Sequence, residues 1–219
     1  MTPHLIIFDC DGVLVDSESI ACRVDAECLT EFGFPITAQD IMQRYVGRSA
    51  SFMFKDIETR FERRLPGNVP TALRTRLAVA FETELKAIEG IDAVLARLTV
   101  PACVASSSEP ARIENSLRIT GLLHYFRPRI FSATEVARGK PAPDLFLFAA
   151  KQMHIAPEDC IVIEDSLAGV EAACAAGMRS IGFTGGSHCS AGHAELLRAA
   201  GAATVIAQMT NLVGAIEAA

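Results

Sequence analysis

Apolar residues recur along this chain with two different periods, and the change of period divides it. Residues 4–8 contain an unbroken apolar run, Leu5-Ile6-Ile7-Phe8, of a length that suits a strand buried on both faces. From about Ser17 to Ile88 the period is helical. Ile20, Val24, Cys28 and Phe32 fall four apart, as do Leu73, Leu77, Phe81 and Leu85. Gly33, Pro35, Gly47, Pro66, Gly67 and Pro70 punctuate that stretch into about four predicted helices, with no convincing strand among them.

Beyond Gly90 short apolar runs alternate with helical segments. Residues 102–105, 129–131, 160–163 and 179–183 read as buried strands, and 204–207 as one more short strand before a C-terminal helix. Helices are expected near 112–119, 144–153 and 167–176, with Gly121 and Gly177 where C-caps belong. This alternation predicts an α/β fold, a Rossmann-like parallel sheet with helices on both faces. The first strand belongs to that sheet although its partners follow only after the helical stretch. The simplest architecture is therefore an α/β core, residues 1–16 and 89–219, interrupted by a helical cap at 17–88. Leaving just after the first strand, the insertion should sit over the carboxyl ends of the strands, where ligands bind in open α/β folds, and act as a lid.

Composition narrows the class. The chain has 219 residues, half of them apolar, enough for one large domain or a domain with a smaller insertion. No stretch approaches the roughly 20 apolar residues that cross a bilayer, and Met1-Thr2-Pro3-His4 lacks the features of a signal peptide. Seven cysteines are scattered without Cys-x-x-Cys spacing, which predicts reduced thiols in a cytoplasmic protein. A net charge of -6 weighs against nucleic acid as a partner. The partner expected is a small molecule, with no membrane association. Monomer and small homo-oligomer both remain open.

Asp9-Cys10-Asp11-Gly12 follows the first strand directly. Two carboxylates two residues apart point to the same side of a strand. Such neighbours repel, which favours a divalent cation or a shared proton. Cys10, pointing the other way, reads as a core thiol. Three more groups fall at carboxyl ends of predicted strands. Ser106-Ser107-Ser108 could bind an oxyanion, or supply only a helix N-cap. Lys140, held extended by the following Pro141, could neutralise a phosphate oxygen, or be an ordinary surface lysine. Glu164-Asp165 could supply oxygen ligands for Mg²⁺, with Asp165 or Ser166 also capping the next helix. Each is ambiguous alone; together they place two acidic groups, a hydroxyl and a lysine at one sheet edge.

The set Asp9-Cys10-Asp11-Gly12-Val13-Leu14-Val15-Asp16-Ser17-Glu18, Ser106, Lys140-Pro141-Ala142-Pro143-Asp144 and Glu164-Asp165-Ser166 resembles the haloacid dehalogenase superfamily. More narrowly it resembles the branch with a helical cap that holds β-phosphoglucomutase and many sugar-phosphate phosphatases. The resemblance implies a Mg²⁺-dependent phosphatase working through an aspartyl-phosphate. Asp9 would be the nucleophile and Asp11 the general acid and base. Ser106 and Lys140, with Ser107 beside them, would bind the phosphoryl group. Asp9, the backbone carbonyl of Asp11, Glu164 and Asp165 would hold the metal. Arg48, in a break between cap helices, would reach the distal end of the substrate, unless it is only a solvated cap arginine.

Two departures separate the chain from the mutases. The histidine that restrains the general acid there falls here at about Ala21, and Glu109-Pro110 replaces the basic and amide residues after the serine motif. Both favour water as acceptor; a phosphosugar mutase is the alternative. Residues 86–104 are similar to 6-phosphogluconate phosphatase-like relatives, which raises sugar-acid phosphates as candidates. A metabolite-sensing module would have lost an essential carboxylate, and a transferase using Asp-x-Asp only as a metal clamp leaves Ser106 and Lys140 unexplained. His188-Cys189 and His193 hint at a transition-metal site, but the Gly185-Gly186-Ser187 context reads better as a mobile polar loop.

Overall fold

Six parallel strands form one sheet in the order β3-β2-β1-β4-β5-β6: β1 (Leu5–Phe8), β2 (Ala102–Ser106), β3 (Ile130–Ser132), β4 (Cys160–Glu164), β5 (Arg179–Phe183) and β6 (Thr204–Ile206). The computed structural model describes residues 3–218. The opening apolar run occupies the centre, with Ile7 opposite Cys103 of β2 on one side and Val162 of β4 on the other. All four residues of β1 are buried, as an inner strand covered on both faces requires.

Strand alternation sorts the side chains into two layers. Ile6, Phe8, Val104, Ile161 and Ile163 face α5 (Ile91–Leu95), α6 (Pro110–Ile119), α7 (Leu123–Phe126) and α11 (Leu212–Ala218). Leu5, Ile7, Cys103 and Val162 face α8 (Asp144–Gln152) and α9 (Leu167–Ala175), packing on Leu145, Phe146, Ala149 and Ala172. Each fully buried Leu, Ile, Val or Phe among them contributes about 1.5–3 kcal/mol relative to exposure. A further helix, α10 (His193–Ala199), covers β5 through Leu197. The short α5 and α7 are elements that the apolar period did not separate from their surroundings.

Between β1 and β2 lie α1 (Glu18–Glu31), α2 (Ala38–Tyr45), α3 (Ala50–Arg60) and α4 (Val69–Glu84). They enclose an apolar cluster of their own, with Leu29, Phe34, Ile41, Ile57 and Leu73 at its centre. The two segments joining them to the sheet run antiparallel beside each other. Val15 bridges Ala87, the Asp16 N–H donates to the Lys86 carbonyl at 2.9 Å, and the Ile88 N–H donates to the Leu14 carbonyl at 3.0 Å.

After β3 the chain crosses back over β1 to β4, so connections leave β1 and β4 in opposite directions. That is the switch point where a crevice opens beyond the strand ends. Asp9 and Asp11 follow β1 there, Glu164 ends β4 and Asp165 follows it.

Candidate active site

Asp9 extends β1 by one residue, and its N–H donates to the Ile163 carbonyl of β4 at 3.0 Å, which fixes the carboxylate over the strand end. Lys140 arrives from the loop before α8 with its side chain wholly buried. Its Nζ lies 3.0 Å from Asp9 Oδ1 and 2.6 Å from Glu164 Oε1, and donates to the Ala105 carbonyl at 3.2 Å. This lysine is therefore no surface residue. Burial works to lower its pKa, but the Asp9 and Glu164 charges outweigh that and keep it protonated.

Glu164 spends both oxygens on the scaffold. Oε1 takes Lys140, and Oε2 accepts from the Ser166 N–H at 2.8 Å and the Ser166 hydroxyl at 2.9 Å. Ser166, not Asp165, caps α9, its Oγ accepting from the Gly169 N–H at 3.1 Å. Asp165 turns instead toward Asp9. Gly12 lets it approach: a Cβ there would stand 1.8 Å from Asp165 Oδ2, and Gly12 has φ +78°.

Asp9, Glu164 and Asp165 each offer a buried carboxylate oxygen within 4.8 Å of the others. Beyond the Lys140 pair, Asp9 Oδ1 has no hydrogen-bond donor, and Asp165 Oδ2 has only the His188 imidazole, 3.0 Å away. Burial pushes the pKa of both Asp9 and Asp165 well up, and the neighbouring carboxylates add to it; Lys140 offsets this only in part. The donor set is all oxygen, anionic and short of positive charge, which fits a hard divalent cation such as Mg²⁺.

Asp11 faces the other way and is held by three donors. Ser17 Oγ and Arg112 Nη2 donate to Oδ1 at 2.6 and 2.9 Å, and Ser108 Oγ donates to Oδ2 at 2.6 Å. Burial works to raise its pKa, but the Arg112 charge and the two hydroxyls prevail and hold it below the usual carboxylate value. Its side chain is outside the acidic trio, which leaves only its backbone carbonyl for a metal. Ser108 does not cap α6 either; Glu109 occupies that position without a side-chain cap.

Between this edge and α1–α3 lies a cavity of about 80 Å³, lined by Asp9, Asp11, Ser106, Ser107, Arg48 and Arg112 among others. Ser106 is buried, and its Oγ accepts the Ser108 N–H at 3.1 Å. Ser107 Oγ donates to the Gly47 carbonyl at 3.2 Å, so it touches the loop between α2 and α3. In that loop Arg48 stacks its guanidinium 5.0 Å from the Phe52 ring centroid. Among the described residues no carboxylate lies within ion-pair distance of it.

Ala21 lines the cavity where the mutase histidine was sought. Two acidic residues of α1 also line it: Glu18, given no role by the sequence, and Asp25, which the sequence reading passed over. Burial and the Asp11 charge push the Glu18 carboxyl up to about 8, and burial pushes Asp25 up to about 6.

The structure thus brings Asp9, Asp11, Ser106, Ser107, Lys140, Glu164, Asp165 and Arg48 to one crevice. Sequence reasoning missed Arg112, and it gave Ser108 and His188 other roles than their contacts with Asp11 and Asp165. One signal for Arg112 was available: an arginine in the first turn of a helix opposes the helix dipole, and so calls for a local carboxylate. His188 is buried against Asp165, which corrects the expectation of a mobile polar loop at 185–189.

Known proteins resemble the chain over nearly its whole length. It is 34% identical over 184 residues to the 6-phosphogluconate phosphatase of Escherichia coli, covering 84% of this chain and 83% of that protein. It is 29% identical to a β-phosphoglucomutase of Bacillus subtilis, covering 81% of each. A crystal structure of a conserved haloacid dehalogenase-like protein of unknown function from Agrobacterium tumefaciens superposes with a TM-score of 0.84 at 42% identity, covering 98% of both chains. Residues 6–183 match the family described as haloacid dehalogenase-like hydrolase, and the chain belongs to that family.

Proposed function

We propose that the protein is a Mg²⁺-dependent phosphatase of small phosphorylated metabolites, with sugar and sugar-acid phosphates the favoured class and residues 17–88 serving as its cap. The observation that carries this reading is the buried Lys140 ammonium between Asp9 and Glu164, with the uncompensated Asp165 carboxylate beside them.

Asp9 attacks phosphorus; its Oδ–P bond forms as the bond from phosphorus to the sugar oxygen breaks. Asp11 gives a proton to the departing oxygen. Water then attacks the aspartyl-phosphate, passing its proton to Asp11, and inorganic phosphate leaves with Asp9 restored. Lys140 and the Ser106 hydroxyl hold the phosphoryl oxygens in line. Asp9, Asp165 and the Asp11 carbonyl would hold Mg²⁺, which supplies positive charge to the phosphoryl oxygens. Glu164 orients Lys140. Arg112 keeps Asp11 ionised at rest, so Asp11 must leave Arg112 and take up a proton from solvent before it can protonate the leaving group. The proton gained from water is returned to solvent as Asp11 goes back to Arg112.

Three cavity residues favour a polyol with a second anionic end. Arg48 is a cation with no carboxylate partner nearby, Arg112 sits opposite it on the core side, and Glu18, protonated at neutral pH, can donate to a hydroxyl. Among relatives, the 6-phosphogluconate phosphatase is named for a substrate of that kind. Ala21 offers no imidazole to restrain Asp11, which favours water over a second sugar phosphate as acceptor. The free state of the seven cysteines agrees with a reducing, cytoplasmic setting.

The test is phosphate release from a panel of sugar and sugar-acid phosphates with Mg²⁺. Wild type should release phosphate and Asp9→Asn should not. Near-normal release by Asp9→Asn would remove the nucleophile assignment, and isomeric sugar phosphate in place of free phosphate would favour a mutase.

A further inference from the structure

The segment between β5 and α10 carries a second cluster with ligating chemistry, outside the phosphoryl site. Ser187 anchors it, its N–H and Oγ lying 2.9 and 2.8 Å from Asp16 Oδ1. That turn buries His188 almost completely and sets its Nε2 3.4 Å from Cys189 Sγ and 3.0 Å from Asp165 Oδ2. His193 opens α10 with its ring centroid 6.1 Å from that of His188, and its Nε2 lies 2.6 Å from the Asp165 carbonyl oxygen. One ring nitrogen of each histidine and Cys189 Sγ all lie within 4.8 Å of one another.

We propose that His188, Cys189 and His193, with Asp165 Oδ2 as fourth ligand, form a binding site for a soft divalent transition metal of the Zn²⁺ class. Tetrahedral zinc with nitrogen at about 2.0–2.1 Å and sulfur at about 2.3 Å requires ligand atoms roughly 3.3–3.6 Å apart. The His188–Cys189 separation is already in that range, and the Asp165–His188 separation falls just below it. The His193 bond to the Asp165 carbonyl is the kind of contact that fixes a ligating imidazole in one tautomer, leaving Nδ1 as acceptor. His188 presents Nε2, the nitrogen beside Cys189 and Asp165, as its ligand atom. Thiolate and imidazole select zinc or cobalt over Mg²⁺, which keeps to oxygen. On binding, the Cys189 thiol gives its proton to solvent and its sulfur joins the metal as thiolate.

The consequence rests on the proposed phosphatase site. Asp165 is a candidate ligand in both places, so the transition metal would draw it from Mg²⁺ and inhibit turnover.

Co²⁺, which reports on zinc sites, is the probe. Titrated into the metal-free full chain, it should give a thiolate-to-cobalt charge-transfer band that saturates at one equivalent and is bleached by one equivalent of Zn²⁺. Cys189→Ser should lose the band, and His193→Ala should weaken binding by about tenfold or more. Cys174→Ser, at the exposed cysteine, should keep it. Thermal melts of each variant confirm that the fold is intact. No band in wild type, or a band that survives Cys189→Ser, overturns the site. Asp9→Asn should leave the band unchanged whatever it does to catalysis, so this site and the phosphatase reading fail separately. With Mg²⁺ present, Cys189→Ser should keep wild-type turnover and need at least about tenfold more Zn²⁺ for half inhibition. Equal inhibition of the two proteins by Zn²⁺ would refute the shared ligand.

Discussion

Arg112 reaches from the first turn of α6 to set a guanidinium nitrogen 2.9 Å from Oδ1 of Asp11, a residue 101 positions earlier in the chain. The pair links the serine strand to the Asp-x-Asp strand across the mouth of the crevice. It also fixes the resting protonation state of the residue proposed to move the proton.

Replacing that arginine should therefore move a pH limb. Burial alone raises the Asp11 pKa, and Arg112 is the largest force against it. Arg112→Gln leaves the Ser17 and Ser108 hydroxyls but removes the charge, so Asp11 should hold its proton to higher pH. The limb of the kcat/KM profile set by Asp11 is expected to shift upward. Superimposable profiles for variant and wild type would show that Asp11 does not set that limb.

Lys140→Met should be costly twice over. It leaves Asp9, Glu164 and Asp165 buried without their shared cation, a loss of about 3–5 kcal/mol in metal-free protein by analogy with broken buried ion pairs. Turnover should fall by on the order of a hundredfold or more, as for loss of one electrostatic stabiliser. Mg²⁺ should restore part of the stability but not the activity. Urea unfolding with and without Mg²⁺ checks the first point, and initial rates check the second.

Glu18 should leave a signature in the pH dependence of stability. Its folded-state pKa of about 8 stands above the ordinary 4.5, so between those values the folded protein keeps a proton that the unfolded chain has lost. Its stability cost is absent below about 4.5 and grows as pH rises toward 8. Glu18→Gln cannot ionise, so its melting temperature relative to wild type should climb steadily through that window. Parallel curves would place the Glu18 carboxyl at an ordinary pKa.

Gly47→Ala should hinder closure of the cap loop on the core. Gly47 has φ +77°, and a Cβ there would stand 2.4 Å from Ser166 Oγ. Forcing that contact apart displaces Arg48 and the Ser107 partner together. A fall in kcat/KM on the order of tenfold to a hundredfold is expected. Gly67→Ala, whose Cβ meets open space, serves as the control and should behave as wild type.

Much of this arrangement was legible in the sequence because it depends on local order. A strand such as Leu5–Phe8, buried on both faces, must be continuously apolar, and the residue after it must lie at a sheet edge; that alone placed Asp9 and Asp165. The surroundings of Asp11 were not legible. Ser108 and Arg112 meet it only because α6 turns back over the end of β1, and no periodicity encodes that angle. Lys140 was ambiguous for the same reason: its burial comes from Asp9 and Glu164, on two other segments. His188 was misread because a glycine-rich setting suggests mobility, whereas Asp16 ties the turn down through Ser187.

The hydrogen-bonded pair of segments at Val15 and Ala87 has a mechanical meaning. Two chains laced side by side bend together easily but resist shearing past each other or twisting. Any movement of the four helices against the sheet would have to pass through that laced pair, which favours a hinge over a slide. Changes within the helices can then reshape the cavity wall that they supply while Asp9 stays fixed to β4 through its own N–H.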